Sequence, residues 1–214
     1  MSQNQNMTTT ASAAAAIYLV HLNPMTNAHK SIITMLKNRY HVYVFPVRFI
    51  KDGYEVNTKS FPFSYELRKQ MIESIFGDAV TVLPHYTFYA PYIKYMPPFL
   101  SSKSWKLRKQ ILSSIREEAF VSYTGDNAER FMLKAYRLNP LKANRLEISA
   151  SLVKEEIYRQ VIEGDTDERW TRKVPEAVAE IIKRNWIIID KFATIEDGTM
   201  RVLGMKFPKE GYYR

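Results

Sequence analysis

In the run His21-Leu22-Asn23-Pro24-Met25-Thr26-Asn27-Ala28-His29-Lys30 a hydroxyl, an amide, an imidazole and an amine fall almost side by side. They stand where an apolar stretch gives way to a helical repeat. Ala16 to Val20 reads as a short buried strand, and Ala28, Ile32, Leu36 and Tyr40 recur at helical spacing. Asn23-Pro24 marks a turn, and Thr26 suits the N-cap position. A helix start exposes unpaired N–H groups and the positive end of the helix dipole, so the chemistry offered there is anion binding, phosphate above all. Asn27, His29 and Lys30 sit where their side chains can join such a site.

A second stretch repeats the arrangement. Ile148-Ser149-Ala150-Ser151-Leu152-Val153-Lys154 lies between a short apolar segment and a helix whose apolar face continues through Leu152, Ile157 and Val161. Ser151 is expected to cap that helix, with its hydroxyl, the local N–H groups and Lys154 converging on phosphate oxygens. Taken alone, each stretch is equally well a capped helix with one solvated side chain. Two strand-to-helix junctions of this kind, near opposite ends of one domain, point to a shared ligand.

The elements that must position these residues alternate. A strand at His41–Val47 precedes Arg48, Lys51 and an Asp52-Gly53 turn, and Ser64 opens a helix with Leu67, Met71, Ile75 and Phe76 on its buried stripe. A strand at 79–83 leads into a segment from His85 to Leu100 dense in Tyr, Phe and Pro, read as a structured loop. A helix at 104–118, a strand at 119–123 and the polar turn Thr124-Gly125-Asp126-Asn127 follow. Pro175 suits the first turn of a later helix. Residues 186–205 read as strand-rich, with a hairpin turn at Glu196-Asp197-Gly198-Thr199. The pattern predicts an α/β fold: a Rossmann-like, doubly wound parallel sheet of about five strands, helices on both faces, and a small C-terminal β addition. Residues 1–15 are expected to be a disordered tail, 16–185 the main domain and 186–214 a β extension packed on it.

Composition narrows the class. A chain of 214 residues with 46% hydrophobic content suits one domain with additions. It has no cysteine, which excludes a disulfide framework or a thiolate metal site, and no metal-ligating cluster stands out. No apolar run approaches a membrane span, and the first residues lack the features of a signal peptide. A cytoplasmic protein is expected. The net charge of +9 suits phosphorylated small molecules; the basic residues are scattered and carry no nucleic-acid-binding signature, so nucleic acid is not the expected partner. A homo-oligomer is compatible with the sequence.

Through Ala16-Ile17-Tyr18, Pro24, Thr26, Asn27 and His29 the first stretch resembles the opening motif of the nucleotidylyltransferase superfamily, (His/Thr)-x-Gly-His, in the form found in phosphopantetheine adenylyltransferases. Residues 148–154 resemble its second signature, Ile-Ser-(Ser/Gly/Ala)-(Ser/Thr)-x-(Val/Ile)-(Arg/Lys), and 63–68 resemble its Phe-Thr-x-Glu-Glu-Arg stretch. Gly164, Trp170, Val174-Pro175 and Val178 follow an order similar to the archaeal type of nicotinamide mononucleotide adenylyltransferase. Two departures stand out: Val20 and Ala28 replace glycines that let backbone approach the nucleotide.

The resemblance implies transfer of a nucleotidyl group from a nucleoside triphosphate to a phosphorylated acceptor with release of pyrophosphate. ATP and nicotinamide mononucleotide are the expected pair, with magnesium bridging the phosphates. A phosphopantetheine or flavin adenylyltransferase, a cytidylyltransferase, and a nucleotide-binding module without catalysis are the alternatives. On this reading His29 donates to the α-phosphate and Lys154 holds the outer phosphates. His21, Leu22, Asn23, Thr26, Ile148, Ser149 and Ser151 complete the nucleotide site, with Gly125 and Asp126 near the ribose and base. Arg48, Lys51 and Lys59 are candidate phosphate cations by position, and Arg68 by its motif. Tyr92 and Trp105 stand for the aromatic wall of the acceptor pocket, to which one or two of the aromatics are expected to contribute.

Overall fold

The computed structural model describes residues 14–125, 127–141 and 149–213. Its strands are β1 (Ala15–Val20), β2 (His41–Pro46), β3 (Arg48–Lys51), β4 (Tyr54–Glu55), β5 (Thr81–Val82), β6 (Thr87–Tyr89), β7 (Phe120–Ser122), β8 (Thr199–Val202) and β9 (Met205–Pro208). Its helices are α1 (Asn27–Lys37), α2 (Tyr65–Phe76), α3 (Ser102–Leu112), α4 (Asn127–Ala135), α5 (Ala150–Glu163), α6 (Glu176–Arg184) and α7 (Trp186–Ala193).

Side chains alternate across a strand, and β1 and β2 are apolar at almost every position, so both faces of the sheet must be covered. They are. Ala16, Tyr18, Val42 and Val44 enter one core with residues of α1, α2, α5, α6 and α7. Ala15, Ile17, Leu19, Tyr43 and Phe45 enter the other, with α3, α4, β3, β6 and β9. The sheet order is β5-β2-β1-β7, all parallel. The parallel, Rossmann-like sheet expected from the pattern is present, with four strands. The chain winds outward from β1 on one side through β2 and β5, then returns to place β7 on the other. The strand order therefore reverses beside β1, and the crevice beyond the carboxyl ends of strands at such a point is where open α/β sheets bind ligands.

A second sheet, β4-β3-β6, continues from β2, and β8 and β9 form the C-terminal hairpin. Asp52 and Gly53 take positive φ at the β3–β4 turn, as the Asp-Gly pair predicts. Three local expectations are corrected. Residues 186–193 are helical instead of extended: Ile189, Phe192 and Ala193 bury one side of α7, and that packing overrides the β preference of the Ile187-Ile188-Ile189 run. The hairpin turns at Leu203-Gly204, where both residues take positive φ, and not at 196–199, because Asp197 is engaged by Ser60 and Thr199. The aromatic segment includes a short strand, β6, paired in parallel with β3.

Candidate functional site

The β1–α1 junction is held from several sides. Thr26 caps α1, and His29 closes the box: Thr26 Oγ1 accepts from the His29 amide, while His29 Nδ1 accepts from the Thr26 amide at 3.0 Å. Nδ1 thus carries no proton, and the neutral ring must carry it on Nε2, which makes that nitrogen a donor. Desolvation by burial, with the charge of Lys154 nearby, lowers the His29 pKa to about 4, so the ring stays neutral at physiological pH. Ahead of it, the Asn23 amide pairs with Phe63 in both directions: Nδ2 donates to the Phe63 carbonyl at 2.9 Å and Oδ1 accepts from its N–H at 3.0 Å. Leu22 takes a positive φ of 49° with its side chain in the core. A left-handed conformation at a leucine is uncommon and marks a loop fixed by its surroundings.

Arg68 is only 2% exposed, and its partners are protein groups. It donates to the His21 carbonyl at 2.8 Å and the Ser64 carbonyl at 3.3 Å, and pairs with Glu55 at 2.9 Å. Glu55 in turn accepts from the Tyr65 amide at the start of α2. Burial lowers the Arg68 pKa to about 10, which leaves it charged at neutral pH. Arg68 therefore anchors the loop.

α5 begins where its signature predicts, but the cap is Ser149, whose hydroxyl accepts from the Leu152 amide at 3.2 Å. Ser151 is left exposed in the first turn, because the serine before the first helical residue is the one whose oxygen can reach back to the helix amides. Lys154 crosses to the first loop and donates to the Asn23 carbonyl at 2.7 Å and the Ala150 carbonyl at 3.2 Å. This bond joins the two stretches that the sequence singled out.

Beside them opens a cavity of about 560 Å³, within the range of small-molecule sites. Its lining includes the polar residues His21, Asn23, Ser151 and Lys154 and the aromatic residues Tyr86, Phe88, Tyr95 and Tyr136. The C-terminal hairpin supplies a further side. His21 stacks on Phe61 with ring centroids 4.7 Å apart and an interplanar angle of 3°. Desolvation and the charges of Arg68 and Lys154 lower its pKa to about 3. Thr26 and His29 lie beside this cavity without lining it, close enough for the Lys154 charge to act on the His29 ring.

Other expected residues lie elsewhere. Arg48 sits over the Tyr65 ring at 4.9 Å, Lys51 pairs with Glu210 at 3.1 Å, and Lys59 donates to the carbonyls of Ala193 and Ile195 beyond α7. Tyr92 is fully buried against Phe49 and Phe207, because β6 turns it into the second core. Trp105 donates to the Phe99 carbonyl and packs edge-on behind Tyr136. Tyr86, Phe88 and Tyr95 are the members of the aromatic segment that reach the cavity. Gly125 forms the bend after β7, while Asp126 and Ile148 lie outside the described residues. Sequence reasoning missed Ser60, Phe61, Arg201 and Lys206. No local motif marks them, since only the tertiary fold brings the loop before α2 and the C-terminal hairpin to the same cavity.

Lys154 has a titration that can be tested. Desolvation, then the charge of Lys206, lowers its pKa to about 7, against partial compensation by Asp197 and Glu155. A lysine depressed in the folded state leaves the unfolded chain binding more protons between that value and about 10.4, so its contribution to stability rises with pH over that window. For anion binding the sign is opposite: the free protein presents the charge below pH 7 and loses it above. The ratio of dissociation constants for tripolyphosphate, Lys154→Gln over the parent, should be about tenfold or more at pH 6 and shrink above pH 7. Calorimetric titration of both proteins from pH 6 to 9 measures it. A ratio independent of pH would show that the Lys154 charge does not face the anion.

No family model matches this chain, and no curated protein matches it in sequence. Solved structures do match. One is a bifunctional NMN adenylyltransferase/ADP ribose pyrophosphatase from Francisella tularensis, with a TM-score of 0.60 and 15% identity over 85% of this chain and 52% of that one. Another is the same kind of protein from that organism complexed with AMP and an Mn ion, with a TM-score of 0.50 and 15% identity over 82% of this chain and 54% of that one. The chain spans about half the length of these two proteins. Its fold is theirs.

Proposed function

We propose that the chain catalyses nucleotidyl transfer from a nucleoside triphosphate to a phosphorylated small molecule. The observation that carries this reading is the junction of loop and helix: the start of α5 is tied by Lys154 to the loop before the capped start of α1, beside a cavity that polar and aromatic side chains line together. The shared fold supports it. In the step itself, an oxygen of the acceptor phosphate attacks the α-phosphorus. The bond to the bridging oxygen breaks, and that oxygen leaves with the electron pair as part of pyrophosphate. The acceptor is already an anion, so no protein base is needed; positioning and charge neutralisation do the work.

On this reading each residue takes a role. His29 Nε2–H donates to the α-phosphoryl oxygens as their charge builds. Lys154 has three N–H donors and uses two on carbonyls, which leaves one for the outer phosphates. The amides of Ala150 and Ser151, which have no partner within the helix, join it. Among the described residues no three His, Cys, Asp or Glu side chains come together. Magnesium fits this site as the partner of the nucleotide phosphates, since it keeps waters and phosphate oxygens as ligands more readily than it enters a protein cage. When bound it neutralises phosphate charge.

The aromatic part of the lining, Tyr86, Phe88, Tyr95 and Tyr136, suits a flat ring. We take the acceptor to be nicotinamide mononucleotide and the donor ATP, which makes the product NAD. Among the described residues no helix is long and apolar enough to cross a membrane; we take the enzyme to be cytoplasmic.

The test is a pyrophosphate-release assay with magnesium, pairing ATP or CTP with nicotinamide mononucleotide, phosphopantetheine, flavin mononucleotide or glycerol phosphate. Release with ATP and nicotinamide mononucleotide is expected. Activity with another pair alone keeps the chemistry and replaces the acceptor. Silence across the panel, with ATP still bound, overturns catalysis and leaves a nucleotide-binding module.

A further inference from the structure

The C-terminal hairpin carries an arrangement that folding alone does not explain. In the β8–β9 ladder Arg201 stands directly opposite Lys206. Directly opposed residues share a face and lie close together, and like charges so placed destabilise a hairpin. The adjacent pairs, Met200 with Phe207 and Val202 with Met205, use the other face and belong to the second core. The hairpin is thus anchored by its apolar face, while its polar face presents two cations. Both line the cavity, as do Lys154, Ser151 and His21 from other elements.

Lys206 is also held in place. Its Nζ donates to Ser60 Oγ at 2.8 Å, and Ser60 Oγ donates to Asp197 at 2.6 Å. Asp197 accepts further from the Ser60 amide at 3.1 Å and from Thr199 Oγ1 at 2.8 Å. Asp197 itself lies 3.9 Å from Lys206 Nζ. One carboxylate thus faces Lys206 and another, Glu129, lines the cavity, while Arg201, Arg108 and Lys154 add three cations to it. After desolvation, the charge of Lys206 lowers the Lys154 pKa most, and it acts on His21 as well. A cavity that gathers cations from separate elements is completed by an anion.

We propose that Arg201 and Lys206 form the second wall of the polyphosphate site and clamp the outgoing pyrophosphate against Lys154 and the start of α5. The proposal rests on the nucleotidyl-transfer reading and extends it to a hairpin that neither motif includes. The Ser60–Asp197 pair positions Lys206, and Arg201 supplies planar donors suited to phosphate oxygens. The clamp serves the leaving group, so its loss weakens polyphosphate binding and slows turnover together.

The experiment is direct binding, with no acceptor and no turnover. Inorganic tripolyphosphate and pyrophosphate are titrated calorimetrically, with magnesium, into the full chain and into Lys206→Ala, Arg201→Ala, Lys206→Arg and Lys209→Ala. Lys209 follows β9 and is exposed outside the cavity, so its variant controls for net charge. Thermal melts establish that each variant is folded. Lys206→Ala and Arg201→Ala should each weaken tripolyphosphate by about tenfold or more, the equivalent of 1.4 kcal/mol. Lys206→Arg should recover most of the loss, and Lys209→Ala should change little. Tripolyphosphate that binds the parent and all variants equally overturns the clamp and leaves the nucleotidyl-transfer reading standing. Failure of the parent to bind either tripolyphosphate or ATP overturns that reading and the clamp with it. Equal losses in Lys206→Ala and Lys209→Ala reduce the effect to net charge and overturn the clamp alone.

Discussion

His29→Ala lowers the rate of pyrophosphate release by about a hundred- to a thousandfold and leaves ATP binding nearly unchanged. The figure corresponds to roughly 2.7–4 kcal/mol, the usual cost of removing one donor that acts on developing charge. The expectation follows from the tautomer: the Thr26 amide occupies Nδ1, so the proton sits on Nε2. With its pKa lowered to about 4, the ring is a neutral donor through the whole physiological range. The rate should therefore show no inflection from this group between pH 5 and 9. The substitution also opens the capping box on α1, worth about 1 kcal/mol. His29→Gln separates the two effects, because a glutamine at that helix position can close the box. It should restore the melting temperature without restoring the rate. Stopped assays for turnover and calorimetry for ATP check both. An unchanged turnover number in His29→Ala would remove the residue from the chemistry.

Arg68→Ala destabilises the protein by about 3–5 kcal/mol, the range for breaking a buried pair and stranding its partner. For a chain of this size that lowers the melting temperature by roughly 2–4 °C per kcal/mol, or about 6–20 °C. Glu55 would keep its bonds from the Tyr65 amide but lose its counter-ion, and the His21 carbonyl would lose its donor. Adding Glu55→Gln to Arg68→Met should recover part of the loss by removing the stranded charge. Scanning calorimetry measures it. A melting temperature within about 2 °C of the parent, combined with weakened ATP binding, would return Arg68 to the role its motif implies.

The contrast between these two residues shows what a sequence can and cannot carry. Thr26 and Ser64 are legible because capping is local: the oxygen and the amide it meets lie within one turn. The strands on either side are legible because burial on two faces leaves an almost unbroken apolar run. Arg68 resembled a phosphate ligand because its partners lie far away in the chain, at His21 and Glu55, and no spacing encodes them. Asn23 is similar; its site-like look comes from a polar residue in a loop that resembles a phosphate-binding motif, and its amide is spent on Phe63. The α7 segment misled in the opposite way, since three consecutive isoleucines favour a strand until Ile189 and Phe192 find a helix-spaced core. Ser149 and Ser151 stand two residues apart at the same helix start, and only the backbone decides which one caps. Arg201 and Lys206 were beyond reach, because their meaning lies in a cross-strand register set by a Leu203-Gly204 turn.

The closure of the cavity by β8 and β9 also gives the site a history during synthesis. The sheet, the starts of α1 and α5 and the aromatic wall are encoded before residue 194, whereas Asp197, Arg201, Lys206 and Phe207 follow. A ribosome-bound chain that has emerged only through α7 can therefore assemble the first core and most of the cavity lining while lacking the cations of the hairpin and the Phe207 ring. The hairpin docks onto a domain whose first core is already complete, and Ser60 receives the Asp197 carboxylate only then. Positive charge thus comes to this pocket after its apolar walls, and on the proposed reading a chain halted at α7 holds polyphosphate less tightly than one that carries the hairpin.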